Sequence, residues 1–310
     1  VLTTFENAVL GTNLSEFHSG YRVFSVKALE QIPFERFSSD YHFDTEIIIQ
    51  LLNAKQRILE LPHGPALAGI AFADDHVQLT LHHLDLRDLG TAVSRVRRLL
   101  DLDADIEAID VALFDGPLGA LVRAAPGVRV PGSCDPFASV VSTMVGQQIS
   151  TAAARTHLAR LVAELGEPTP WTSEDDPVRR FPTPAAIAES GADVLRGPRR
   201  RIDAIVAIAR AVADGEMELH AGVAASDLRV ALLARPGIGT WTADYLTMTV
   251  AGDPDILLDT DLVVRNAAAQ LGVGAAALAD TAPWRSYASM HLWRHALLAT
   301  PDKTDEGDLR

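Results

Sequence analysis

Apolar residues recur at intervals of three and four positions through the second half of the chain. One such stripe consists of Phe137, Val140, Val141, Met144 and Val145. This spacing places the side chains on one face of a helix, and Asp135-Pro136 just before it is the usual start of one. The sequence predicts further helices over residues 151–165, 202–213 and 262–271, and from Pro283 onwards.

The stretch before this region carries the alternation that is typical of strands. Strands are predicted over residues 57–61, 66–72 and 76–82. In the last of these, Val77, Leu79 and Leu81 alternate with polar residues, and Asp74-Asp75 forms the turn before it. A helix is predicted over residues 89–100. A small α/β layer is therefore expected ahead of the helical region.

A tight corner between two helices is predicted at residues 235–239, which read Arg-Pro-Gly-Ile-Gly. Ser226 and Asp227 are predicted to cap the helix before this corner, and Thr240 is predicted to cap the helix that starts at Trp241. The arginine and the proline end the first helix. The two glycines are expected to turn the chain with positive φ.

Such a corner brings unpaired amide groups and the positive end of a helix to one point. Gly237 and Gly239 leave these N–H groups uncovered, which suits them to hold a phosphate. The same residues are also compatible with a plain helix–turn–helix corner. Other parts of the chain must therefore decide between the two interpretations.

Two further groups of residues are candidates for contact with a nucleic acid. Gln147 and Gln148 follow the first helix directly, and their amides could bond base edges, fill a space left in a duplex, or satisfy the backbone of the loop. Arg199, Arg200 and Arg201 stand at a helix start, where their charges oppose the helix dipole. We therefore favour phosphate contact over a merely solvated cluster for these arginines.

The composition narrows the class of protein. The chain has 310 residues, 48% hydrophobic content, a formal net charge of −14 and one cysteine, Cys134. One cysteine excludes an internal disulfide and a four-cysteine iron–sulfur cluster. The negative charge argues against a protein coated in nucleic acid but permits a local basic patch. No apolar run approaches the roughly 20 residues of a spanning helix, so we expect a cytoplasmic location and no membrane partner.

Four segments of the chain together carry a family resemblance. Residues 145–150, 235–245, 259–261 and 284–293 read VGQQIS, RPGIGTWTADY, DTD and WRSYASMHLW. In this order they resemble the 3-methyladenine DNA glycosylase II family, within the helix-hairpin-helix glycosylase superfamily, over residues 63 to about 300. The resemblance implies a mainly α fold with two helical lobes and a cleft between them, preceded by a small N-terminal α/β domain.

The resemblance also assigns roles to residues. It places the catalytic acid at Asp261, with Asp259 as the alternative if the register of the loop is shifted. A carboxylate there would stabilise the positive charge that develops on a sugar as its N-glycosidic bond breaks. Trp241, Tyr245 and Trp293 match the positions that line the lesion-base pocket, where electron-rich rings attract cationic alkylated purines.

The family grips the DNA backbone through its hairpin. Here Gly237, Gly239 and Thr240 occupy that place, and Gln148 stands at the position of the side chain that wedges into the duplex. The implied partner is double-stranded DNA with alkylated bases, bound by a monomer. No cofactor and no metal held by side chains is expected, although the family also holds a monovalent cation with main-chain carbonyls of the hairpin.

The residue at one hairpin position refines the predicted reaction class. Superfamily members that also nick the strand carry a lysine where this sequence has Trp241, and without that amine no Schiff base forms. We therefore predict a monofunctional hydrolase of the N-glycosidic bond.

His291 and His295 stand four positions apart, but no carboxylate accompanies them at a recognisable spacing, so packing or solvent exposure is favoured over a metal site.

The first 60 residues have a different character. The stretches HSGYR at 18–22 and FDTEI at 43–47 resemble the end of the catalytic domain of family 2 glycosyltransferases. The donor-binding half of that family has no counterpart, so residues 1–60 are interpreted as a remnant, a fusion segment or a gene-model artefact. The predicted division is a remnant or fusion segment at 1–60, a truncated α/β domain at 61–125, a helical glycosylase domain at 126–300 and an acidic tail at 301–310.

Two alternative functions remain beside that of a glycosylase. One is a non-catalytic DNA-binding module, and the other is a sugar transferase, as the N-terminal segment would suggest.

Overall fold

The computed structural model describes residues 57–72, 76–172 and 178–299. The strands in these ranges are β1 (Arg57–Leu61), β2 (Gly64–Phe72) and β3 (Val77–His82). The first seven helices are α1 (Leu89–Leu99), α2 (Ile106–Phe114), α3 (Gly119–Ala124), α4 (Pro136–Gly146), α5 (Thr151–Leu165), α6 (Pro184–Val194) and α7 (Arg199–Ala213). The next five are α8 (Ala225–Leu233), α9 (Thr240–Leu246), α10 (Leu262–Gln270), α11 (Ala275–Ala279) and α12 (Arg285–Ala299). The predicted fold class, mainly α with a small sheet, is confirmed.

The three strands form an antiparallel sheet in the order β1-β2-β3. β1 and β2 are joined by a tight turn, since Leu61 pairs with Gly64. Leu59 of β1 packs with Val96 of α1 in a small core of their own. The expected α/β layer is therefore present, with β2 starting two residues earlier than predicted. The turn expected at Asp74-Asp75 lies outside the described residues.

Two predicted helix starts are confirmed by their hydrogen bonds. Asp135 accepts a hydrogen bond of 3.0 Å from the N–H of Ala138, and Pro136 is the first residue of α4. Ser150 accepts a hydrogen bond of 3.3 Å from the N–H of Ala153 in the first turn of α5. Both side chains satisfy an amide that has no partner within its own helix.

Two other helix starts differ from the prediction. α7 begins at Arg199 and not at Ile202, so the three arginines form its first turn. The prediction that Ser226 and Asp227 cap α8 is wrong, because α8 already begins at Ala225 without a side-chain cap. The two polar residues lie inside its first turn, where an acidic side chain still favours the helix dipole.

Most helices share one large core. Its fully buried side chains include Leu161, Ile205, Leu228, Leu246 and Leu292. Ile109 of α2 and Val122 of α3 also belong to this core, so both helices pack against the bundle although they precede the predicted domain boundary at residue 126. The division into domains stays a prediction. Within the described ranges, no helix combines the length and apolar character needed to cross a bilayer.

Two side-chain contacts join distant parts of the fold. Arg180, in the loop after α5, donates from Nε to both carboxylate oxygens of Glu60 in β1, at 2.9 and 2.8 Å. Tyr287 of α12 donates its hydroxyl to Asp101, which follows α1, at 2.9 Å. Burial raises the pKa of Asp101, and burial together with that carboxylate raises the pKa of Tyr287. The first contact joins the sheet to the loop after α5, and the second joins α12 to the segment after α1.

Candidate active site

Gly237 shapes the corner between α8 and α9. Its φ is +84°, a conformation that favours glycine. A Cβ at this position would lie 2.8 Å from the Cβ of Ala204 in α7, so the space also requires glycine. The prediction of a positive φ at Gly239 is wrong: its φ is −91° and its ψ is 175°, which is extended backbone. One left-handed residue is enough to reverse the chain here.

Gly239 is the residue that precedes α9 as its N-cap. The helix begins at Thr240, whose side chain makes no capping hydrogen bond. The prediction that Thr240 caps a helix starting at Trp241 is therefore wrong, because the helix starts one residue earlier. Gly239 and Thr240 are both exposed, so the first amides of α9 face the surface without a side-chain acceptor.

An ion pair links the two helices of the hairpin. Nε of Arg229 in α8 lies 2.5 Å from Oδ1 of Asp244 in α9. Asp244 is only 6% exposed, so its carboxylate is largely shielded from water. The hydrogen bond to Asp244 raises the pKa of Arg229. Because Asp244 lies between Trp241 and Tyr245 in sequence, the pair also orients the helix that carries both rings.

Asp261 stands at the N-terminus of α10. Its Oδ1 accepts hydrogen bonds from the N–H groups of Val263 at 2.8 Å and Val264 at 2.9 Å. The carboxylate therefore lies at the positive end of the helix dipole, and the two amides hold it in one orientation. The side chain is half-buried, so it remains within reach of a molecule at the surface.

Two tryptophans also donate to the carboxylate of Asp261. Nε1 of Trp241, from the hairpin, lies 2.7 Å from Oδ2. Nε1 of Trp293, from α12, lies 3.1 Å from Oδ1. The acid is thus the point at which the hairpin, the start of α10 and the last helix meet.

The aromatic rings form a cluster around this acid. The rings of Trp241 and Tyr245 stack with centroids 5.4 Å apart and planes within 1° of parallel. The ring of Trp293 lies 6.1 Å from that of Tyr245, with the planes tilted by 54°. Tyr245 is 6% exposed, whereas both indoles are half-buried. All three predicted pocket residues are therefore adjacent, and the two indoles form the accessible part of the cluster.

The loop that ends in Asp261 is fastened to α12 by side chains outside the predicted site. Arg285 forms a bidentate pair with Asp255, at 2.6 and 2.7 Å, which lowers the pKa of that aspartate. Ser286 accepts from the N–H of Ile256 at 3.0 Å. Ser289 accepts from the N–H of Leu258 at 3.1 Å, one turn before Trp293 on the same helix. These contacts set the register of the loop against the helix.

Sequence reasoning did not assign a role to Arg285, Ser286 or Ser289. The available signal was their spacing, because Arg285, Ser289 and Trp293 stand at intervals of four and so share one face of a helix. Their partners are backbone groups and a carboxylate in a loop with no periodic pattern. Such partners become visible only when the loop is placed in space.

Asp259 occupies a different environment from Asp261. Its side chain is exposed, and neither indole donates to it. Its charge acts at longer range on Arg229, where it is a minor cause of that residue's raised pKa. Of the two acids in the DTD segment, Asp261 alone combines the helix terminus with the aromatic cluster.

The predicted glutamines lie beside the hairpin but differ in their contacts. Nε2 of Gln147 donates to the carbonyl of Gly237 at 3.3 Å and to the hydroxyl of Thr242 at 3.1 Å. Gln148 is exposed and has a φ of 59°. Gln147 is thus engaged with the protein, while Gln148 projects from the same turn.

The three arginines of α7 are also not equivalent. Arg199 pairs with Asp203 one turn along the helix, at 2.9 Å. Arg200 is exposed. Arg201 is half-buried and donates to the main-chain carbonyl of Gln147. Arg199 and Arg200 are therefore the exposed members of the group, and Arg199 already has an acidic partner within its own helix.

The two histidines of α12 lie in different surroundings. His291 is 2% exposed, and neither ring nitrogen has a hydrogen-bond partner among the described residues. Burial, aided by the charge of Arg294, lowers the pKa of His291 to about 4. His295 is half-buried. The described part of the chain contains no group of three histidine, cysteine or acidic side chains that could hold a metal ion.

Comparison with known proteins identifies the family of the N-terminal part of the chain. Residues 43–135 match the family described as the AlkA N-terminal domain. The match includes the FDTEI stretch at 43–47, so this part of the transferase-like segment falls within a glycosylase-family domain. Residues 1–56, which include both stretches, lie outside the described residues.

Two curated relatives extend the match into the helical region. A probable bifunctional transcriptional activator/DNA repair enzyme AlkA of Mycobacterium tuberculosis is 42% identical over 247 residues, covering 77% of this chain and 50% of that protein. DNA-3-methyladenine glycosylase 2 of Escherichia coli is 30% identical over 209 residues, covering 65% of this chain and 70% of that protein. The chain belongs to the AlkA family of DNA-3-methyladenine glycosylases.

A solved structure shares the fold over most of the chain. The 3-methyladenine DNA glycosylase of Archaeoglobus fulgidus superposes with a TM-score of 0.64 at 20% identity, over 78% of this chain and 87% of that one. The chain spans about half (50%) of the length of the Mycobacterium tuberculosis relative. The fold and the family are therefore shared, and the activity has to be argued from the site.

Proposed function

We propose that this protein is a monofunctional DNA glycosylase that hydrolyses the N-glycosidic bond of alkylated purines in double-stranded DNA, acting as a monomer. The observation that carries the proposal is the position of Asp261. Its carboxylate is held at a helix N-terminus by two amides and two indoles, at the edge of an aromatic cluster. A DNA substrate would place the enzyme with the chromosome.

The hydrogen bonds of Asp261 support a role in stabilising charge. Oδ1 accepts from two backbone amides and from Trp293, whereas Oδ2 accepts from Trp241 alone among the described residues. A carboxylate oxygen has about two lone pairs, so Oδ2 keeps acceptor capacity for an outside group. When the N-glycosidic bond breaks, positive charge develops on the sugar, and a fixed carboxylate stabilises that charge without reorganisation. The same oxygen can orient the attacking water.

The aromatic cluster supports the choice of alkylated purines. A target base must leave the stack before an enzyme can act on it, and stacking on aromatic rings offsets part of that cost. Purines alkylated at N3 or N7 carry positive charge, which the faces of Trp241 and Trp293 attract beyond simple stacking. The rings and the acid would then act on the same nucleotide, because both indoles contact Asp261.

The residue types around Asp261 support hydrolysis without strand cleavage. A glycosylase that also nicks the strand forms a Schiff base through an amine. In this chain the corresponding hairpin position holds Trp241, whose indole is bonded to the acid. Trapping with borohydride should therefore leave no covalent adduct between the protein and DNA.

The decisive test is base release by the Asp261→Asn variant. Asparagine still caps a helix well, so α10 should remain intact, but it carries no charge to stabilise the sugar cation. We expect release of methylated purines to fall by on the order of 10²-fold or more, with binding to the same DNA retained. The measurement is release of labelled bases from methylated duplex DNA in single-turnover experiments.

Asp259→Asn is the matched control, because it removes the same charge two residues away. That variant should keep most of the release rate. If Asp261→Asn released bases as fast as the unchanged protein, the hydrolytic proposal would fail. If the unchanged protein bound lesion-containing DNA but released no base, this result would instead support a non-catalytic DNA-binding module.

A further inference from the structure

One glutamine side chain joins the two parts of this surface that are expected to touch DNA. Gln147 is the residue that follows α4 as its C-cap, and its side-chain amide reaches the hairpin, where it donates to the carbonyl of Gly237 and the hydroxyl of Thr242. These acceptors lie on either side of the exposed amides at the start of α9. The contact therefore spans 90 to 95 positions of sequence.

The next residue along the chain is the one that projects. Gln148 adopts a φ of 59°, and its side chain is exposed. A positive φ is uncommon outside glycine, and it costs free energy that the surroundings must supply. The contacts of Gln147 immediately before it supply such a restraint, since its side chain is bonded at its far end.

A second bond holds the backbone of the same residue. Arg201, in the first turn of α7, donates to the carbonyl of Gln147. α7 also packs directly under the hairpin, because a Cβ on Gly237 would meet Ala204 at 2.8 Å. The Gln147 amide links the turn at 147–148 to the hairpin, and the Arg201 guanidinium links it to the start of α7.

We propose that Gln147 is a positioning residue that fixes Gln148 relative to the hairpin, so that filling the space of an extruded base and gripping the adjacent phosphates occur as one event. This rests on the proposed function, because it assumes a duplex from which a base has been removed or swung out. Gln147 itself makes no DNA contact in this account. It sets the separation between the group that enters the duplex and the amides that hold its backbone.

The experiment compares binding to two duplexes, one undamaged and one with a stable abasic-site analogue. Only the second offers a space for Gln148, so the ratio of the two dissociation constants reports on the insertion. Gln147→Met keeps the length of the side chain but removes its donors. We expect it to reduce the preference for the abasic duplex by roughly tenfold, the effect of losing one or two hydrogen bonds. Gln148→Ala should do the same.

The double variant separates positioning from a general structural effect. If Gln147 acts through Gln148, then Gln147→Met combined with Gln148→Ala should lower the preference no further than Gln148→Ala alone. Additive losses, or an equal weakening of binding to both duplexes, would overturn the proposal. Thr242→Val, which removes one of the two acceptors, gives a second test if Gln147→Met does not fold. Gln78→Met, an exposed position on β3, is the matched control and should leave the ratio unchanged.

Base release by the unchanged protein is measured beside these binding assays. A protein that prefers the abasic duplex but releases no methylated purine would contradict the proposed hydrolysis and leave the positioning role intact. A protein that releases bases normally, and whose preference survives Gln147→Met, would contradict the positioning role and leave the hydrolysis intact. The two proposals therefore fail on different observations.

Discussion

In the proposed reaction, Trp241 and Trp293 would each combine two functions in one side chain. The faces of their rings are suited to a cationic base, and their Nε1 atoms donate to the carboxylate of Asp261 at 2.7 and 3.1 Å. Phenylalanine would preserve most of the ring surface and remove only the donor. The two contributions can therefore be separated by substitution.

Trp241→Phe should slow the chemical step more than it weakens binding. It removes the indole donor from Oδ2 and leaves the position of the acid less fixed. A hydrogen bond to a charged group contributes about 1.5–3 kcal/mol, so we expect kcat to fall at least roughly tenfold with a smaller change in KM. Steady-state kinetics on methylated duplex DNA provide the measurement.

Trp284→Phe is the matched control for this substitution. Trp284 packs edge-on against Tyr287, with ring centroids 6.1 Å apart, and it is half-buried like the other two indoles. It has no hydrogen bond to Asp261. A similar fall in kcat for Trp284→Phe would show that loss of packing, and not loss of the donor, explains the effect.

The sequence indicated these site residues but not their bonds. The spacing and the family resemblance placed Asp261 and the three aromatic residues on segments expected to meet. That the indoles would point their N–H groups at the acid depends on the rotamers that packing selects, and no local pattern encodes them. The role of Gln147 also stayed open at the level of sequence, because its acceptor Gly237 lies 90 residues further along the chain.

The hairpin shows how two glycines in one element serve different purposes. Gly237 is required by its left-handed backbone and by the nearness of Ala204. Gly239 has ordinary extended backbone, and a Cβ there would meet nothing within 4 Å. The first glycine therefore serves the fold, whereas the second leaves the amides at the start of α9 open.

Gly237→Ala should consequently affect stability, whereas Gly239→Ala should affect DNA binding. Gly237→Ala should lower the free energy of unfolding by about 1–3 kcal/mol because of strain, as measured by denaturant titration. Gly239→Ala should change it by less than about 0.5 kcal/mol but weaken binding to duplex DNA, since the methyl group would crowd the phosphate. Equal stability losses for both variants would contradict this division.

The elements themselves followed from the sequence more closely than their ends did. The three strands, most of the longer helices and the starts at Asp135 and Ser150 were predictable because periodicity and capping are local signals. Helices α2, α3, α6 and α11 were not predicted, although α2, α3 and α6 contribute Ile109, Val122 and Ile187 to the core. The misplaced starts of α7 and α9 each differ by one to three residues. At those ends no side-chain cap marks the first turn, so the backbone conformation of the preceding proline or glycine decides the boundary.

The stability of the whole molecule should depend on pH through His291. Its pKa is about 4 in the fold, against 6.5 when it is free. As pH falls below 6.5, the unfolded chain takes up this proton first, so stability is full above 6.5 and is lost between 6.5 and 4. At about 1.4 kcal/mol per pKa unit, the loss amounts to about 3 kcal/mol.

His291→Leu should remove this part of the pH dependence. Denaturant titrations at pH 7 and pH 4.5 should show a smaller loss on acidification for the variant than for the unchanged protein. His295→Leu is the control and should leave the loss as it was. Asp101, whose pKa burial raises, acts in the opposite direction but is present in all three proteins. An unaltered acid response in His291→Leu would contradict the assignment.

The loop that ends in Asp261 is bonded to α12, and this attachment has a consequence for motion. Arg285, Ser286 and Ser289 bind the loop that leads to Asp261, and the same helix carries Trp293. A small rigid displacement of α12 would therefore carry the acid and this indole together, with their hydrogen bond intact. Trp241 belongs to the hairpin, so the same displacement would act on the hydrogen bond from its Nε1 to Oδ2 of Asp261. The Trp293 side of the aromatic cluster would move with the carboxylate, and the Trp241 side would not.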